Sequence, residues 1–354
     1  MIKIKVLVVD DSMFMRKLIT RLIEDEAGLQ VIGTACNGLE AVSMVKALKP
    51  DVVTLDIEMP EMDGLEALCK IMEQRPTPVL MLSSLTQEGA HATITALQSG
   101  AVDFISKPSG SISTDLYKVK AELVSKIKLA ALIPVRALQS GVNAAPPLQV
   151  NRMKAGAAKE FTQIVALGTS TGGPKALETV ITALPANFPY PVLVVQHMPP
   201  KFTKSLATRL NGLSGVRVVE AADNELVVGG TVYIAPGDYH MTAVQKNREY
   251  RIQLHQTPPI NGHRPSVDVL FDSISQLKNL KRHFILMTGM GSDGAQGMQS
   301  AKRDGARSTI AEAKETCIVY GMPRSAIELN CVDYTVPLHQ IASKILEVTA
   351  FQGW

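Results

Sequence analysis

Cysteines and long apolar segments are scarce in this sequence, and each scarcity excludes a class of protein. The four cysteines (Cys36, Cys69, Cys317 and Cys331) are scattered and none forms a Cys-x-x-Cys pair. Their spacing argues against a disulfide framework or a zinc site and favours a reducing, cytoplasmic location. No apolar run approaches the length that spans a bilayer, so we expect no membrane insertion. The first apolar run, Val6–Val9, is short and followed directly by two acids, which predicts a strand rather than a signal peptide.

A strong charge of either sign is also absent, although the charge is unevenly distributed. Hydrophobic residues make up 46% and charged residues 19% of the chain, which is an ordinary globular balance. Residues 1–125 carry 12 Lys/Arg against 17 Asp/Glu, and residues 126–354 carry 24 against 16. The acidic half could attract a divalent cation, and the basic half an acidic partner. The basic excess is too diffuse, and aromatic residues too few at 5%, to predict a nucleic-acid partner.

The first 125 residues predict an α/β domain with a parallel, doubly wound sheet. Five apolar segments alternate with helical ones, and each segment has the length and composition of a buried strand. The predicted strands are Val6–Asp11, Gln30–Ala35, Asp51–Asp56, Val79–Ser83 and Asp103–Pro108, and Ala121–Ile133 is predicted to be the closing helix. In such a sheet, ligands bind at the carboxyl ends of the strands.

Polar residues with related chemistry follow several of these strands. Asp10, Asp11 and Asp56 would converge at one edge, where their mutual repulsion is relieved by a bound cation. Mg²⁺ suits such an oxygen-rich site. Ser83 and Lys107 would add a hydroxyl and an ammonium group from neighbouring strand ends. This combination predicts an aspartate that accepts a phosphoryl group, although acids also terminate strands without any such role.

These residues carry a resemblance to a known family. The pair Asp10-Asp11, the segment Leu-Asp-Ile-Glu-Met-Pro-Glu-Met-Asp-Gly at 55–64, Ser83 and Lys107 resemble the receiver domain of two-component response regulators, a flavodoxin-like (βα)5 fold. The resemblance implies phosphorylation of Asp56 by a histidine kinase and Mg²⁺ bound by the three aspartates. It also implies contact of Ser83 and Lys107 with the phosphoryl group. The family often has Thr where this chain has Ser83, and this departure preserves the hydroxyl.

The hydrophobic periodicity stops between residues 134 and 159. This stretch contains Pro146-Pro147, two glycines and several basic residues, and it is typical of a semi-flexible linker. The sequence therefore predicts a receiver domain at 1–125, a helix end and linker at 126–160, and a second domain at 161–354.

The second domain opens on a segment that could hold a nucleophile. Ile164–Thr169 is predicted to be a buried strand, and Ser170 follows it on a turn with two glycines before Pro174 starts a helix. A serine there lies beside a helix N-terminus, whose N–H groups favour negative charge. Gly168-x-Ser170-x-Gly172 also matches the short nucleophile-elbow pattern. The alternative is a phosphate- or nucleotide-binding turn that Ser170 merely lines.

Two further strand ends carry a histidine and an aspartate. His197 ends the strand Pro191–Gln196, and Asp293 follows the strand His283–Gly289 near the start of a helix. Because the carboxyl ends of parallel strands share one edge, Ser170, His197 and Asp293 could form a nucleophile–base–acid triad. Individually, they could be a turn residue, a strand-end histidine and a helix cap. Their chain order differs from that of the α/β-hydrolases, which disfavours that fold.

The residues between these segments predict a small β-rich insertion. Short β segments at 216–220, 231–235, 240–244 and 251–254 are interrupted by Gly and Pro turns and are predicted to pair in antiparallel fashion. His240 in this region is an alternative to His197 as the general base. Thr171, His263 and Arg264 could line a substrate cleft, and the backbone N–H of Met290 could contribute to an oxyanion hole.

The motifs together resemble one enzyme family over nearly the whole chain. They are Gly-Thr-Ser-Thr-Gly-Gly at 168–173, Gln-His-Met-Pro at 196–199, His-Arg-Pro-Ser-Val-Asp at 263–268 and Thr-Gly-Met-Gly-Ser-Asp-Gly at 288–294. This set looks like the chemotaxis protein-glutamate methylesterases (CheB). The resemblance implies hydrolysis of glutamate methyl esters on the cytoplasmic helices of chemoreceptors, deamidation of receptor glutamines, and a chemotaxis histidine kinase as phosphodonor. It implies catalysis by Ser170, His197 and Asp293, an oxyanion role for Met290, and no cofactor for the ester chemistry.

Two other classes of function remain open at this point. The second domain could be a receiver-regulated serine amidase or esterase with another substrate, or a module that binds a partner without catalysis. Binding to DNA lacks support because no basic recognition helix is evident.

Overall fold

The computed structural model describes residues 3–107, 114–133 and 160–351, with the backbone alone for 114–118. The chain divides into two compact units, residues 1–144 and 145–354. The predicted linker at 134–159 and the predicted strand end at Pro108 lie outside the described residues. Within the described part of the chain, no helix is both long and apolar enough to cross a membrane.

The first unit is a parallel sheet whose strands alternate with helices along the chain. Its strands are β1 (Ile4–Val9), β2 (Leu29–Ala35), β3 (Val52–Asp56), β4 (Val79–Ser83) and β5 (Asp103–Ser106). Its helices are α1 (Met13–Glu24), α2 (Gly38–Leu48), α3 (Gly64–Gln74), α4 (Gln87–Gln98) and α5 (Thr114–Ala130). The strand order is β2-β1-β3-β4-β5, and every pair is parallel. This arrangement confirms the predicted (βα)5 fold.

Side-chain caps begin the first four helices of this unit just after the strand ends. Ser12, Asn37, Asp63 and Thr86 each accept a hydrogen bond from the backbone N–H three residues later. Such caps satisfy N–H groups that have no partner within the helix. The caps therefore define how the chain turns from sheet to helix at the edge where the acidic residues lie.

The closing helix is longer than predicted, because α5 begins at Thr114 and not at Ala121. Val119 and Leu123 lie one turn apart and line an apolar space with Leu18 and Leu22 of α1. Val has a low helix propensity, so the propensity of this segment alone understated the helix. Val119 lies in the part of the helix that the prediction left out, and it packs against α1.

The second unit also contains a large parallel sheet. Its strands are β6 (Gln163–Thr169), β7 (Val192–Gln196), β8 (Arg217–Glu220), β9 (Thr231–Ile234), β10 (His240–Lys246), β11 (Glu249–His255), β12 (Lys281–Leu286), β13 (Ser308–Glu312) and β14 (Tyr334–Val336). Its helices are α6 (Gly173–Thr182), α7 (Phe202–Leu213), α8 (Val267–Ser275), α9 (Ala295–Arg303), α10 (Met322–Glu328) and α11 (Leu338–Val348). Seven strands form one sheet in the order β14-β13-β12-β6-β7-β9-β8, and β10 and β11 form a separate pair. The predicted doubly wound α/β class is confirmed, with helix ends that differ from the prediction by a few residues.

The predicted antiparallel insertion is only half right. The hairpin β10–β11 is antiparallel, but β8 pairs with β9, and β9 with β7, in parallel within the main sheet. All four residues of β9 are buried, as expected for a strand covered on both faces of a parallel sheet. Strand length and turn residues, on which the prediction depended, do not distinguish the two directions of pairing.

The hairpin packs against helix α8. Met241, Ala243 and Ile252 of the hairpin share one buried cluster with Leu270 and Phe271 of α8. This packing brings the first residue of β10 close to the start of α8, a point that matters for the site described below.

The centre of the large sheet is a topological switch point. Strand β6 lies between β7 and β12, so the chain leaves β6 toward one side and returns on the other side later. In open α/β sheets, ligands bind at the carboxyl edge of such a point. The loops after β6, β7 and β12 carry Ser170, His197 and Asp293, respectively.

Candidate active site

Ser170 is the first residue after β6, and its backbone is held on both sides. Its N–H donates to the carbonyl of Thr288 at 3.0 Å. Its carbonyl accepts from the N–H of Gly173 at 2.8 Å and from the side-chain amide of Gln196 at 3.0 Å. None of these bonds uses the hydroxyl group, so the backbone of Ser170 is held independently of its side chain.

The turn after Ser170 requires its two glycines. Gly172 has φ +78°, a left-handed conformation that side chains rarely adopt. A Cβ atom on Gly173 would lie 1.9 Å from the side-chain oxygen of Gln196. The turn is therefore as tight as the sequence pattern predicted, and α6 starts directly behind the serine.

His197 lies beside this turn because β6 and β7 are neighbours. Thr169 and Gln196 are paired in the sheet, and the N–H of His197 donates to the carbonyl of Thr169 at 3.2 Å. The imidazole Nε2 is 2.8 Å from Oδ2 of Asp293. The structure thus brings together the predicted histidine and aspartate, with Ser170 on the adjacent strand end.

Asp293 is almost completely buried at the N-terminus of α8. Its carboxylate accepts from the Ser266 hydroxyl at 2.8 Å, from the Val267 N–H at 2.6 Å and from the Asp268 N–H at 3.3 Å. Burial by itself would raise the pKa of Asp293, but the hydrogen bonds and the charge of His197 hold it well below its usual range. Helix N-termini favour negative charge. These contacts therefore favour the ionised carboxylate of Asp293 beside the imidazole.

The second nitrogen of His197 is available for proton transfer. Nδ1 is buried and has no hydrogen-bond partner among the residues that the structure describes. If Nε2 donates to the Asp293 carboxylate, Nδ1 carries the lone pair and acts as the acceptor. The carboxylate therefore selects the tautomer in which Nδ1 can accept a proton.

His263 covers one face of the His197 ring. The two ring centroids are 3.8 Å apart and the planes differ by 7°. His263 stands at the end of a tight turn in which Ile260 and His263 exchange backbone hydrogen bonds. Asn261 and Gly262 between them both have positive φ, as in type I′ turns. The turn thus places His263 against the imidazole and not merely in the surrounding cleft.

His240 and Arg264 are near the site but are occupied by structural contacts. The Nδ1 atom of His240 accepts from the Ser266 N–H at 3.2 Å, and its Nε2 donates to the Pro258 carbonyl at 3.2 Å. Burial lowers the pKa of His240. With both nitrogens engaged, His240 is a poor alternative base. The Arg264 guanidinium forms an ion pair with Asp238 and also donates to the backbone carbonyls of residues 256 and 257.

Two other predicted residues lie on the turns that contact Ser170. Thr171 is buried, and its carbonyl accepts from the Thr288 hydroxyl at 3.0 Å. Met290 is 40% exposed and follows Gly289, at which an added Cβ would lie 2.9 Å from Cβ of Ser170. Met290 therefore lies next to the serine.

A second cluster occupies the carboxyl edge of the first unit. Carboxylate oxygens of Asp10, Asp11 and Asp56 lie within 4.8 Å of one another. The ammonium group of Lys107 is 2.7 Å from Asp56 and 2.9 Å from Asp10. Burial raises the pKa of Asp56 to about 6 against the opposing effect of Lys107. Clustered carboxylates of this kind are compatible with Mg²⁺.

Ser83 ends β4 near this cluster, but its hydroxyl is directed elsewhere. It accepts from the Thr93 hydroxyl at 2.7 Å and lies 3.2 Å from the Gly89 carbonyl. The cavity beside Asp56 is lined by Ser84 instead. A contact between Ser83 and a phosphoryl group would require its hydroxyl to rotate, and this contact stays a prediction.

Comparison with known proteins assigns both units. Residues 165–345 match the family model described as CheB methylesterase, and residues 6–115 match the response regulator receiver domain. The chain is 51% identical over 345 residues to the protein-glutamate methylesterase/protein-glutamine glutaminase of Geobacillus kaustophilus, which covers 98% of each chain. The chain belongs to the CheB methylesterase family.

Other members agree with this assignment. The protein-glutamate methylesterase/protein-glutamine glutaminase of Thermotoga maritima is 47% identical over 345 residues, with 98% of each chain covered. The crystal structure of the Thermotoga maritima CheB methylesterase catalytic domain superimposes with a TM-score of 0.52 at 46% identity. That match covers 53% of this chain and 100% of the other. The chain therefore combines an N-terminal receiver domain with a C-terminal CheB catalytic domain.

The site of this family member contains residues that sequence reasoning missed. Ser266 was recognised as part of a motif, but not as a donor to Asp293. The side-chain amide of Asn261 donates a hydrogen bond to Oδ2 of Asp268 at 3.3 Å, which links the turn of His263 to the start of α8. Asn261-Gly262 is a common type I′ dipeptide, so the turn was detectable. Its contact with His197 was not.

Proposed function

We propose that this protein hydrolyses γ-methyl esters of glutamate on chemoreceptors and deamidates receptor glutamines, under control of phosphorylation at Asp56. The observation that carries the proposal is the geometry of His197. Its Nε2 is 2.8 Å from the buried Asp293 carboxylate, and its Nδ1 has no hydrogen-bond partner among the described residues. Protein-glutamate methylesterase/protein-glutamine glutaminase is the name of relatives that match over nearly the full chain.

The residues have distinct roles in the proposed reaction. The Ser170 hydroxyl attacks the γ-carbonyl carbon while Nδ1 of His197 accepts its proton. The Asp293 carboxylate stabilises the imidazolium that forms and does not itself take the proton. The backbone N–H of Met290 would stabilise the oxyanion. His197 then protonates the leaving methoxide, and methanol departs.

The acyl-enzyme is resolved by the same groups acting on water. His197 accepts a proton from a water molecule, whose oxygen attacks the acyl carbon, and the Ser170 oxygen leaves with that proton. The products are the glutamate side chain and methanol. With a glutamine substrate, the first leaving group is ammonia, which departs less readily, so we expect deamidation to be the slower reaction.

The receiver domain would supply the control of this activity. Asp56 is the proposed acceptor of a phosphoryl group from a chemotaxis histidine kinase. Asp10, Asp11 and Asp56 would hold Mg²⁺, which neutralises negative charge at the acceptor carboxylate. Lys107, already 2.7 Å from Asp56, would contact the added phosphoryl group, and Ser83 would do so after rotation of its hydroxyl. We assign residues 1–125 to this receiver, 126–160 to a helix end and linker, and 161–354 to the esterase.

The first experiment measures methanol release from methylated receptor membranes, with and without a small phosphodonor plus Mg²⁺. We expect release that increases with the phosphodonor. The Asp56→Asn variant should release methanol at the same rate under both conditions, because an amide cannot accept the phosphoryl group. Glu66→Gln, which removes an exposed carboxylate paired with Lys70 on α3, should respond like the wild type.

The outcomes of this experiment separate the alternatives. Release from small methyl esters but not from receptor would indicate an esterase with another substrate. No release from either would indicate a binding module without catalysis. A phosphodonor response that persists in Asp56→Asn would contradict the proposed site of control.

The stacked His263 should influence the proposed general base. Aromatic stacking contributes about 0.5–1.5 kcal/mol beyond burial, so losing it should allow the His197 ring to rotate. We expect His263→Ala to lower kcat by up to about 10-fold, and His263→Phe, which keeps a stacked ring, to retain most of it. The measurement is kcat and KM for methanol release. His339→Ala, on the exposed face of α11, is the control. Equal losses in the Ala and Phe variants would show that stacking is not the contribution of His263.

A further inference from the structure

One buried carboxyl group near the site has no part in the mechanism described above. Glu312 is the last residue of β13 and is completely buried. Burial raises the pKa of Glu312 to about 7, although hydrogen bonds from Thr288 and Thr316 oppose the rise. Burying a carboxyl group costs free energy unless the group is hydrogen-bonded. The hydrogen bonds of Glu312 therefore indicate its role in the structure.

Glu312 completes the hydrogen bonding of β12 where the strand ladder ends. The last paired residues of β12 and β13 are Leu286 and Ala311. Beyond them, Met287 donates its N–H to Gly168 on the β6 side. Successive N–H groups of a strand point to opposite sides, so the next N–H, that of Thr288, points toward β13.

The paired register of β12 and β13 does not extend to that position. Strand β13 stays paired with β14 there, and the Ala313 N–H donates to the Val336 carbonyl at 2.8 Å. The Glu312 side chain fills the gap, because its Oε2 accepts from the Thr288 N–H at 2.8 Å. Its other oxygen accepts from the Thr316 hydroxyl at 2.9 Å. The carboxyl group therefore replaces a missing backbone carbonyl.

Thr288 in turn contacts three consecutive residues of the serine turn. Its carbonyl accepts from the Ser170 N–H at 3.0 Å and from the Thr169 hydroxyl at 2.7 Å. Its hydroxyl donates to the Thr171 carbonyl at 3.0 Å. The position of Thr288 therefore determines the position of the backbone that presents the Ser170 hydroxyl.

We propose that Glu312 is a positioning residue for the esterase reaction, whose carboxyl group fixes Thr288 and, through Thr288, the Ser170 turn. The inference depends on the proposed function, because it assumes that Ser170 is the nucleophile. The required property is a hydrogen-bond acceptor at the place of Oε2. A negative charge is not required, since neutral and ionised carboxyl groups both accept from an N–H.

Glutamine should therefore replace Glu312 with little loss. Its amide oxygen can accept from the Thr288 N–H, and its amide nitrogen can donate to the Thr316 hydroxyl. That hydroxyl has a second acceptor in the Ala313 carbonyl at 3.3 Å and already accepts from the Leu338 N–H at 2.9 Å. Every polar group remains paired, and we expect kcat of Glu312→Gln within about 3-fold of the wild type.

Removing the acceptor should lower kcat and leave KM unchanged. Glu312→Leu leaves the buried Thr288 N–H without a partner, so the end of β12 shifts to find one. We expect kcat to fall by about 10- to 100-fold, since small displacements of a nucleophile are costly. KM should not change because Glu312 is buried away from any substrate. Glu312→Asp keeps the charge but shortens the side chain, and it should also lower kcat.

The matched control is Thr316→Val. This change removes the contact with Oε1 and leaves the contact between Oε2 and Thr288 intact. Thr316→Val should lower the melting temperature and retain kcat. If Glu312 had only a structural role, Glu312→Leu would likewise lower the melting temperature and retain kcat.

The experiment measures kcat and KM for methanol release, the melting temperature, and the rate at which a fluorophosphonate labels Ser170 without receptor. Slow turnover and slow labelling in Glu312→Leu, with both retained in Glu312→Gln and Thr316→Val, would support the proposal. If Glu312→Leu does not fold, the comparison of the other two variants tests the proposal, and kcat should be higher in Glu312→Gln than in Glu312→Asp. The reverse order, or equal kcat in Glu312→Leu and Thr316→Val, would overturn it. Labelling that persists in Ser170→Ala would instead refute the proposed nucleophile.

Discussion

Ser170→Ala should abolish methanol release, with a loss in kcat of at least about 10⁴-fold. Removal of the nucleophile from a comparable triad leaves only the rate enhancement due to binding and oxyanion stabilisation. The substitution should not disturb the fold, because the hydrogen bonds that Ser170 makes with Thr288, Gly173 and Gln196 all use its backbone. The measurement is methanol release from methylated receptor, together with the melting temperature.

The control for this variant is Ser205→Ala. Ser205 lies in α7, and both serines are 9% exposed, so the two changes remove similarly buried hydroxyl groups. Deamidation should be lost together with methyl ester hydrolysis, since both reactions pass through the same acyl-enzyme. A Ser170→Ala protein that retains either activity at a few per cent of the wild-type rate would show that Ser170 is not the nucleophile.

Asp293→Asn should lower kcat by about 10³- to 10⁴-fold, through the tautomer of His197. The carboxylate accepts from four donors: His197, Ser266, Val267 and Asp268. An amide has one accepting oxygen, and its NH₂ group must face some of these donors. If the NH₂ group faces His197, Nε2 becomes the acceptor and Nδ1 carries the proton. The ring can then no longer accept the proton of the Ser170 hydroxyl.

The same change should also destabilise the second unit, because it leaves buried donors at the start of α8 unpaired. Stability and kcat are therefore measured together, with Asp272→Asn on the exposed face of α8 as the control. The double variant Ser170→Ala/Asp293→Asn should be no slower than Ser170→Ala, since the groups act as a unit. Additive losses, or a kcat of Asp293→Asn within 10-fold of the wild type, would contradict the proposed role.

Much of the acidic cluster in the receiver domain could be predicted from the sequence. Asp10, Asp11, Asp56 and Lys107 were predicted to meet, because each follows a strand of one parallel sheet, and the structure brings them together. The direction of the Ser83 hydroxyl was not accessible. It depends on a hydrogen bond from the hydroxyl of Thr93, ten residues later on α4. The pattern of the strands does not indicate this contact.

The sequence by itself determined the α/β class, the two units and the strand ends at which Ser170, His197 and Asp293 lie. These features follow from local information: apolar runs of strand length, helical periodicity and glycine turns, combined with the rule that parallel strands share one carboxyl edge. The alternation of buried and exposed residues in a helix or strand can be recognised within a single segment of the sequence.

Only the tertiary structure decided which groups surround the proposed triad. The N-terminus of α8 at Asp293, the ring of His263 on His197, and the Glu312 carboxyl group at Thr288 join residues that are 24 to 66 positions apart. The parallel pairing of β9 with β7 and β8 likewise accompanies the burial of β9 within the main sheet. A side chain's local sequence shows that it is polar, but its partner is selected by the folding of distant segments against each other. The environment of the proposed catalytic groups is therefore a property of the assembled sheet and its connections.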